Sequence, residues 1–325
     1  MNKKERFAGL LANIFNRVKN PQQKVRNPII CMYHSISEKG QRNWGPWEYG
    51  VTPETFKNHI DWLSQNKTIV SLEDLLDYIR GERTLPKNSV ILTFDDGYQD
   101  YVDQALPVLE EYGVPSTVYI STKLMCEQVA PYEFRLASAL RQSDKIYTEI
   151  GEYDLSTKRN VKKAYSELRQ QYKHLPPERR NSLIERIGSP EAKEFKIVTP
   201  DTVSQLGTHE LVTVGSHSHE HRPLGKLSNS NIKTNMVQSK KILSGILGDH
   251  IAHFSFPYGS TSPNSLQVVE QVGYESAVTT EQRTVEPRDW NQCYTLPRLD
   301  MSNLAHNNLL GTGIDIELCS NSEIL

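Results

Sequence analysis

Two adjacent acidic residues, Asp95 and Asp96, follow an apolar run, and a His-x-x-x-His pair, His217 and His221, comes later in the chain. Carboxylates this close repel each other, and the pKa of one of them rises unless a cation neutralises the pair. Histidines spaced four residues apart can supply nitrogen ligands for such a cation. The four residues therefore predict a mononuclear divalent-metal hydrolase in which one carboxylate stays free to act as a base.

The bulk composition excludes some classes of protein. The 325-residue chain is long enough for one barrel-sized domain or two smaller ones. Its formal net charge is −2, so no basic field attracts nucleic acid and no such partner is expected. The four cysteines are scattered and form no CxxC pair, which is typical of free thiols in a reducing compartment. Without a recognisable secretory signal or membrane span, the expected location is cytoplasmic.

The N-terminus carries an apolar stripe at three- and four-residue spacing, flanked by Lys and Arg: Phe7, Leu10, Leu11, Ile14, Phe15 and Val18. Such a helix can dock on the domain or lie at a membrane surface. Docking is the favoured interpretation, and peripheral contact with the inner membrane face is the alternative. The predicted organisation is an N-terminal helix and link over 1–27, a catalytic domain over 28–300 and a tail over 301–325.

Apolar runs alternate with amphipathic segments across the catalytic domain, which predicts a parallel sheet or barrel. Seven strands are expected, at 28–34, 89–94, 115–120, 211–215, 252–256, 276–279 and 294–298. Residues 125–200 are rich in charged and amide side chains, have helical spacing and offer no good strand. The sequence therefore predicts an α/β fold, an irregular (β/α)7 barrel similar to a TIM barrel, with a helical insertion.

Each chemically interesting segment falls at the carboxyl end of a predicted strand. Asp95 and Asp96 follow the second strand, His217 follows the fourth, and a Pro-Tyr-Gly turn at 257–259 follows the fifth. Active sites of α/β barrels form at this end. We therefore expect these side chains to meet in one site.

Three segments in this order resemble successive motifs of the polysaccharide deacetylase family, which has the NodB-homology domain and is carbohydrate esterase family 4. They are Thr-Phe-Asp-Asp-Gly at 93–97, Gly-Ser-His-Ser-His-Glu-His at 215–221 and Phe-Pro-Tyr-Gly at 256–259. The resemblance runs from about residue 29 to 298. Met-Tyr-His-Ser-Ile at 32–36 and Leu-Pro-Arg at 296–298 are similar to members linked to surface-polysaccharide synthesis.

This resemblance implies three ligands for a divalent metal, usually zinc: Asp96, His217 and His221. It implies that Asp95 is the general base that deprotonates the attacking water. The backbone N–H of Tyr258 would stabilise the oxyanion, and Pro257 would fix the turn that presents this donor. His219 lies between the two histidine ligands and is expected to point away from the metal.

The sequence departs from the family pattern at several positions. Many members carry an Arg where this chain has Ser255, and Arg298 is a reasonable substitute because its fork could hold Asp95 through two hydrogen bonds. The alternative is that Arg298 makes a surface ion pair. The general acid has two candidates: His306, in a Leu-Ala-His triplet, and His34, which ends the first strand and could also contact substrate.

A later family motif of the Asp-x-x-x-x-Trp type has no clear match. Asp289 and Trp290 have the residue types of this motif but are expected in a loop. The leading functional hypothesis is removal of an N-acetyl group from an amino sugar in a glycan or a lipid- or nucleotide-linked precursor. A small-molecule amidase or imidase on the same fold is one alternative. A non-catalytic glycan-binding module is another, although it would not need the spare carboxylate of Asp95.

Overall fold

The computed structural model describes residues 27–38, 50–188, 195–291 and 293–302. The apolar stripe predicted at the N-terminus and the tail beyond Ser302, which includes His306, lie outside the described residues. No helix among the described residues is long and apolar enough to cross a membrane.

A parallel sheet of eight strands forms the core: β1 (Ile29–Tyr33), β2 (Thr68–Ile69), β3 (Ser89–Phe94), β4 (Ser116–Ile120), β7 (Val212–Ser216), β8 (His253–Ser255), β9 (Ser276–Val278) and β10 (Leu299–Asp300). The strand order is β10-β1-β3-β4-β7-β8-β9, with β2 paired to β3. A parallel bridge between Val278 and Leu296 brings the segment before β10 beside β9. The predicted irregular α/β barrel is therefore confirmed, and β1 and β3 are the apolar runs expected of buried parallel strands. The sheet has one strand more than the seven predicted, because β2 is only two residues long and too short to show an apolar run in the sequence.

Helices surround this sheet: α1 (Pro53–Asn66), α2 (Leu72–Arg80), α3 (Leu106–Tyr112), α4 (Thr122–Glu127), α5 (Tyr132–Ala139), α6 (Lys158–Tyr172), α7 (Pro177–Ile187), α8 (Pro200–Gly207), α9 (Asn229–Leu247) and α10 (Pro263–Gln271). Local sequence explains several boundaries. Ser71 caps α2 by accepting from the Asp74 N–H, and the Asp74 carboxylate accepts from the Ser71 N–H in return. Gly81 then ends α2 in the left-handed conformation that glycine adopts without strain.

The segment between β4 and β7 is mostly helical, but the prediction that it holds no strand was wrong. Two short strands, β5 (Lys145–Thr148) and β6 (Gly151–Asp154), form an antiparallel hairpin. Only Ile146 is buried among these eight residues, and their other side chains are partly or fully exposed. A hairpin with so few buried positions shows almost no alternation of apolar and polar residues, so its sequence is difficult to distinguish from that of a polar helix.

The last strand also differs from its predicted position at 294–298. The structure has a strand at β10, which pairs with β1, and the preceding residues make an isolated bridge to β9. Pro297 interrupts the earlier segment because it has no N–H to donate to a ladder. Arg298 therefore lies just before the last strand, and the prediction that placed it at the end of that strand was wrong.

A buried histidine in α1 makes the stability of the fold depend on pH. His59 is fully buried, its Nδ1 lies 3.1 Å from the Tyr33 hydroxyl, and burial lowers its pKa to about 3 from 6.5. Because the unfolded chain takes up this proton first, the stabilisation is complete above about pH 6.5 and falls by up to about 1.4 kcal/mol per pH unit towards pH 3. We expect His59→Phe to remove this one-proton slope, measured as the urea-unfolding free energy between pH 4.5 and 7. Equal slopes in the variant and the wild type would contradict the assignment.

Candidate active site

A cavity of about 260 Å³ lies at the carboxyl ends of the strands. Its wall includes six residues that the sequence singled out: His34, Asp95, Asp96, His217, His221 and Tyr258. Two others, Pro257 and Arg298, are buried but are not among the residues that line it. The strand-end segments therefore meet in one place, as the barrel architecture requires.

The backbone is strained at this cavity. Among the described residues, six that are not glycine have a positive φ, and four of them belong to the segments that form this site: Asp96, Ser218, His221 and Tyr258. Such conformations cost about 1–3 kcal/mol each and persist where the surrounding structure enforces them, often at functional sites. The residue after Tyr258 must be glycine, because a Cβ at Gly259 would lie 2.2 Å from the Thr280 Oγ1 atom and 2.8 Å from the Thr280 backbone nitrogen.

Three side chains could hold a metal ion: Asp96, His217 and His221. Asp96 Oδ1 lies 3.3 Å from His217 Nε2 and 3.1 Å from His221 Nε2. All three residues are buried, and one potential ligand atom of each lies within 4.8 Å of those of the other two. Whether these atoms suit a cation depends on which of them carries a proton.

The other polar side-chain atoms of Asp96 and His217 already make hydrogen bonds. His217 Nδ1 lies 2.8 Å from the Ser255 carbonyl oxygen, which can only accept, so this nitrogen carries the proton. The Tyr98 hydroxyl donates to Asp96 Oδ2 at 2.7 Å. A lone pair of His217 Nε2 and a lone pair of Asp96 Oδ1 therefore face each other.

The same reasoning applies to His221. The Tyr258 hydroxyl donates its one proton to Glu133 Oε1 at 2.7 Å and lies 3.2 Å from His221 Nδ1. This hydroxyl can therefore only accept from His221, whose proton must be on Nδ1 and whose Nε2 lone pair faces Asp96 Oδ1. Three converging lone pairs, each fixed by a hydrogen bond on the far side of its group, fit a divalent cation.

The electrostatics of the ligand set favour a positive charge at this position. Burial would raise the pKa of Asp96, but the two facing histidines outweigh it and hold that pKa well below its usual range. Burial would lower the pKa of His221, but the Asp96 carboxylate, together with the Glu133 carboxylate, outweighs it and raises that pKa. Protons and a cation therefore compete for the same position, as expected at a metal site.

Asp95 is not one of the three candidate ligands, and Arg298 holds both of its oxygens. Arg298 Nη1 donates to Asp95 Oδ1 at 2.8 Å and Nη2 donates to Oδ2 at 2.6 Å. Arg298 is fully buried, so the alternative of a surface ion pair does not describe it. The Ser255 hydroxyl lies 3.3 Å from Asp95 Oδ2 and accepts from Arg298. Burial would raise the pKa of Asp95, but the charge and hydrogen bonds of Arg298, together with the nearby His217 and His34, outweigh it and lower that pKa.

The two hydrogen bonds from Arg298 to Asp95 predict how the activity depends on pH. Arg298→Lys keeps a positive charge but loses the second hydrogen bond, so the pKa of Asp95 should rise and the carboxylate should lose its fixed orientation. We expect kcat to fall about 10–100-fold and the acidic limb of the kcat/KM profile to move to higher pH. An acidic limb that stays at the wild-type pH would show that Arg298 does not tune Asp95.

Three residues of the sequence motifs lie apart from the cavity lining. Asp289 accepts two hydrogen bonds from Arg283, at 2.6 and 2.7 Å, and Trp290 packs edge-on against Tyr78. His219 lies between the histidine ligands but its Nδ1 is 2.9 Å from the Thr122 hydroxyl. Neither Asp289, Trp290 nor His219 is among the residues that line the cavity.

Several residues of the cavity wall were missed from the sequence. Ser35 and Thr280 follow β1 and β9, so the strand-end rule used for Asp95 could have found them. Glu133, Phe134 and Arg169 come from helices between β4 and β7. No local pattern marks these three, because it is the packing of the helices that brings them to the site.

Comparison with known proteins is consistent with this geometry. Residues 82–277 match the family described as "Polysaccharide deacetylase". YxkH of Bacillus subtilis (strain 168) is 23% identical over 262 residues, which cover 80% of this chain and 66%, just under two thirds, of YxkH. The poly-beta-1,6-N-acetyl-D-glucosamine N-deacetylase of Staphylococcus aureus (strain MSSA476) is 22% identical over 263 residues, 81% of this chain and 71% of that protein.

The fold has solved counterparts. The structure of IcaB from Ammonifex degensii superimposes with a TM-score of 0.58 at 15% identity, covering 86% of this chain and 97% of IcaB. The family match spans more than half of the sequence and includes both the Asp95-Asp96 turn and the two histidines. The chain therefore belongs to the polysaccharide deacetylase family.

Proposed function

We propose that this protein is a metal-dependent deacetylase that hydrolyses the N-acetyl group of an amino sugar in a glycan or glycan precursor. The observation that carries the proposal is the convergence of three lone pairs, from Asp96, His217 and His221, beside a second carboxylate that Arg298 holds apart from them. A set of one carboxylate and two imidazoles with an open position is typical of catalytic zinc, so Zn²⁺ is the proposed metal.

A cation bound here would polarise the acyl oxygen and lower the pKa of a coordinated water towards about 7. Asp95 accepts the proton of the attacking water, and Arg298 keeps this carboxylate ionised at neutral pH and fixes its orientation. The backbone N–H of Tyr258 is the proposed second donor to the oxyanion, and Pro257 sets the turn that presents it.

The leaving nitrogen needs a proton, for which we propose His34. Strands β1 and β3 are parallel neighbours, and Tyr33 pairs with Phe94 at their carboxyl ends. His34 and Asp95 are the next residues of these two strands, so they follow the same end of the sheet next to each other. Both line the cavity. This places an imidazole and a carboxylate next to one another, as an acid and a base that act in succession on one amide would require.

The substrate class is inferred from the relatives and from the size of the site. The Staphylococcus aureus relative is named for poly-beta-1,6-N-acetyl-D-glucosamine, and we propose an N-acetylated amino sugar of that kind. The cavity of about 260 Å³ is slightly smaller than the pockets of about 300–1,000 Å³ that hold drug-sized ligands, so it suits one sugar unit. The cytoplasmic location and the peripheral membrane contact stay predictions.

The test is acetate release from β-1,6-linked N-acetylglucosamine oligomers by the zinc-loaded protein, alongside a panel of cyclic amides and imides. We expect release from the sugars alone, loss of release with a chelator and recovery when zinc is restored. Turnover of cyclic amides without turnover of sugars would replace the proposal with the amidase alternative. Binding of metal and glycan with no turnover on either panel would overturn both enzymatic functions.

A further inference from the structure

Glu133, on helix α5, is a buried carboxylate that the reaction proposed above does not use. Its side chain lines the cavity and only 6% of the residue is exposed. Oε1 accepts from the Tyr258 hydroxyl, whereas Oε2 has no hydrogen-bond partner among the described residues. A buried carboxylate with one oxygen unsatisfied costs stability, so stabilisation of the fold does not explain Glu133.

Glu133 reaches the candidate metal centre through a single intermediary. The Tyr258 hydroxyl lies 2.7 Å from Glu133 Oε1 on one side and 3.2 Å from His221 Nδ1 on the other. The rings of Tyr258 and His221 are also in contact, with centroids 4.8 Å apart. Tyr258 is held in a left-handed conformation, φ 58°, so the strand-end turn fixes the position of its ring.

The direction of these hydrogen bonds decides which nitrogen of His221 carries the proton. While Glu133 is a carboxylate, it takes the Tyr258 proton, and the hydroxyl oxygen is left to accept from His221 Nδ1–H. Without that acceptor the hydroxyl is free to donate to Nδ1, which favours the tautomer protonated on Nε2. That tautomer has no lone pair facing Asp96 and cannot bind a metal there.

We propose that Glu133 is a positioning residue of the metal site: through Tyr258 it fixes His221 in the metal-binding tautomer, so the helices between β4 and β7 set the affinity for the metal. The inference rests on the metal-dependent function proposed above. Carboxylates that hold a histidine ligand directly are common in zinc sites, and removing such an outer partner typically lowers metal affinity 10–100-fold. Here the Tyr258 hydroxyl lies between the carboxylate of Glu133 and the histidine ligand, His221.

We call the hydrogen-bonded chain from Glu133 through the Tyr258 hydroxyl to His221 the relay. A double-mutant cycle tests it. Zinc affinity is measured on the whole chain, by competition with a chromogenic chelator, for the wild type, Glu133→Leu, Tyr258→Phe and the double variant. Leucine is used because the amide oxygen of a glutamine could still accept the Tyr258 proton. We expect each single change to weaken zinc binding about 10–100-fold. We expect the loss in the double variant to be clearly smaller than the product of the two single losses. The hydrogen-bonded path is already broken in Tyr258→Phe, so that only the direct effect of the Glu133 charge on His221 is left to remove. Losses that multiply would overturn the relay, and so would wild-type affinity in Glu133→Leu.

Glu185→Leu is the matched control. It removes a carboxylate on α7, within the same set of helices, but that side chain is 60% exposed and pairs with Arg135. Its zinc affinity should equal that of the wild type. Wild-type zinc affinity in Glu133→Leu would overturn the proposal even if Tyr258→Phe failed to fold.

Zinc affinity is measured without substrate, so this test is separable from that of the deacetylase function. A wild-type protein that binds zinc with the expected cycle but releases no acetate would overturn the function and leave the relay standing. Normal acetate release, combined with losses of zinc affinity that multiply in the double variant, would overturn the relay and leave the deacetylase function standing.

Discussion

Asp95→Asn is expected to abolish acetate release, with kcat lowered about a thousandfold or more, while zinc binding stays at the wild-type level. The reason is the division of labour between the two adjacent carboxylates. Asp96 faces the two histidines, whereas both oxygens of Asp95 are held by Arg298. An amide at Asp95 cannot accept the proton of the attacking water, and general-base catalysis typically contributes about 10²–10⁴-fold. The measurements are kcat for β-1,6-linked N-acetylglucosamine oligomers and the zinc content of the purified variant.

The control must separate loss of the base from damage to a buried ion pair. Removing the charge of Asp95 leaves the Arg298 guanidinium buried and without its charged partner, and such changes can cost about 3–5 kcal/mol of stability. Asp289→Asn makes the same change in a second two-pronged Asp–Arg pair, with Arg283, outside the cavity lining. It should keep full activity. Activity within tenfold of the wild type in Asp95→Asn would remove Asp95 from the proposed mechanism.

Much of the barrel and of the candidate metal centre could be predicted from the sequence, because both depend on local patterns. Buried parallel strands are continuous apolar runs, so the polar residues that follow them stand out, as Asp96 does after β3 and His217 after β7. Parallel strands bring their carboxyl ends to one edge, so residues far apart in sequence could be placed together without knowing any contact.

Other features depend on contacts that leave no local pattern. Glu133 and Tyr258 are 125 positions apart, and only the packing of α5 over the strand ends brings them together. The Arg298–Asp95 contact spans 203 positions, and it was suggested only because the resemblance implied an Arg partner for Asp95 that Ser255 does not supply. The β5–β6 hairpin was missed because one side chain in eight is buried there, which is too few to give a periodic signal.

His217→Ala is expected to remove zinc binding, with the stoichiometry of the purified protein falling from one zinc towards zero. His217 contributes one of three converging lone pairs, and its ring is fixed because Nδ1 donates to the Ser255 carbonyl. Loss of a direct ligand should exceed the 10–100-fold cost of losing an outer partner. A ligand present at a hundred times its dissociation constant stabilises a protein by about 2.7 kcal/mol, so added zinc should raise the Tm of the wild type and leave that of His217→Ala unchanged.

His219→Ala is the matched control, because His219 lies two positions from His217 in the same segment and contacts the Thr122 hydroxyl, outside the cavity lining. Its zinc stoichiometry, and the rise in Tm that zinc causes, should match the wild type. The pair of variants therefore distinguishes the register of the ligands from the general presence of histidines in this loop. Loss of zinc in His219→Ala with retention in His217→Ala would show that the ligands are in another register. Retention in both would place the metal elsewhere, and Asp95 would then have no reacting water to deprotonate.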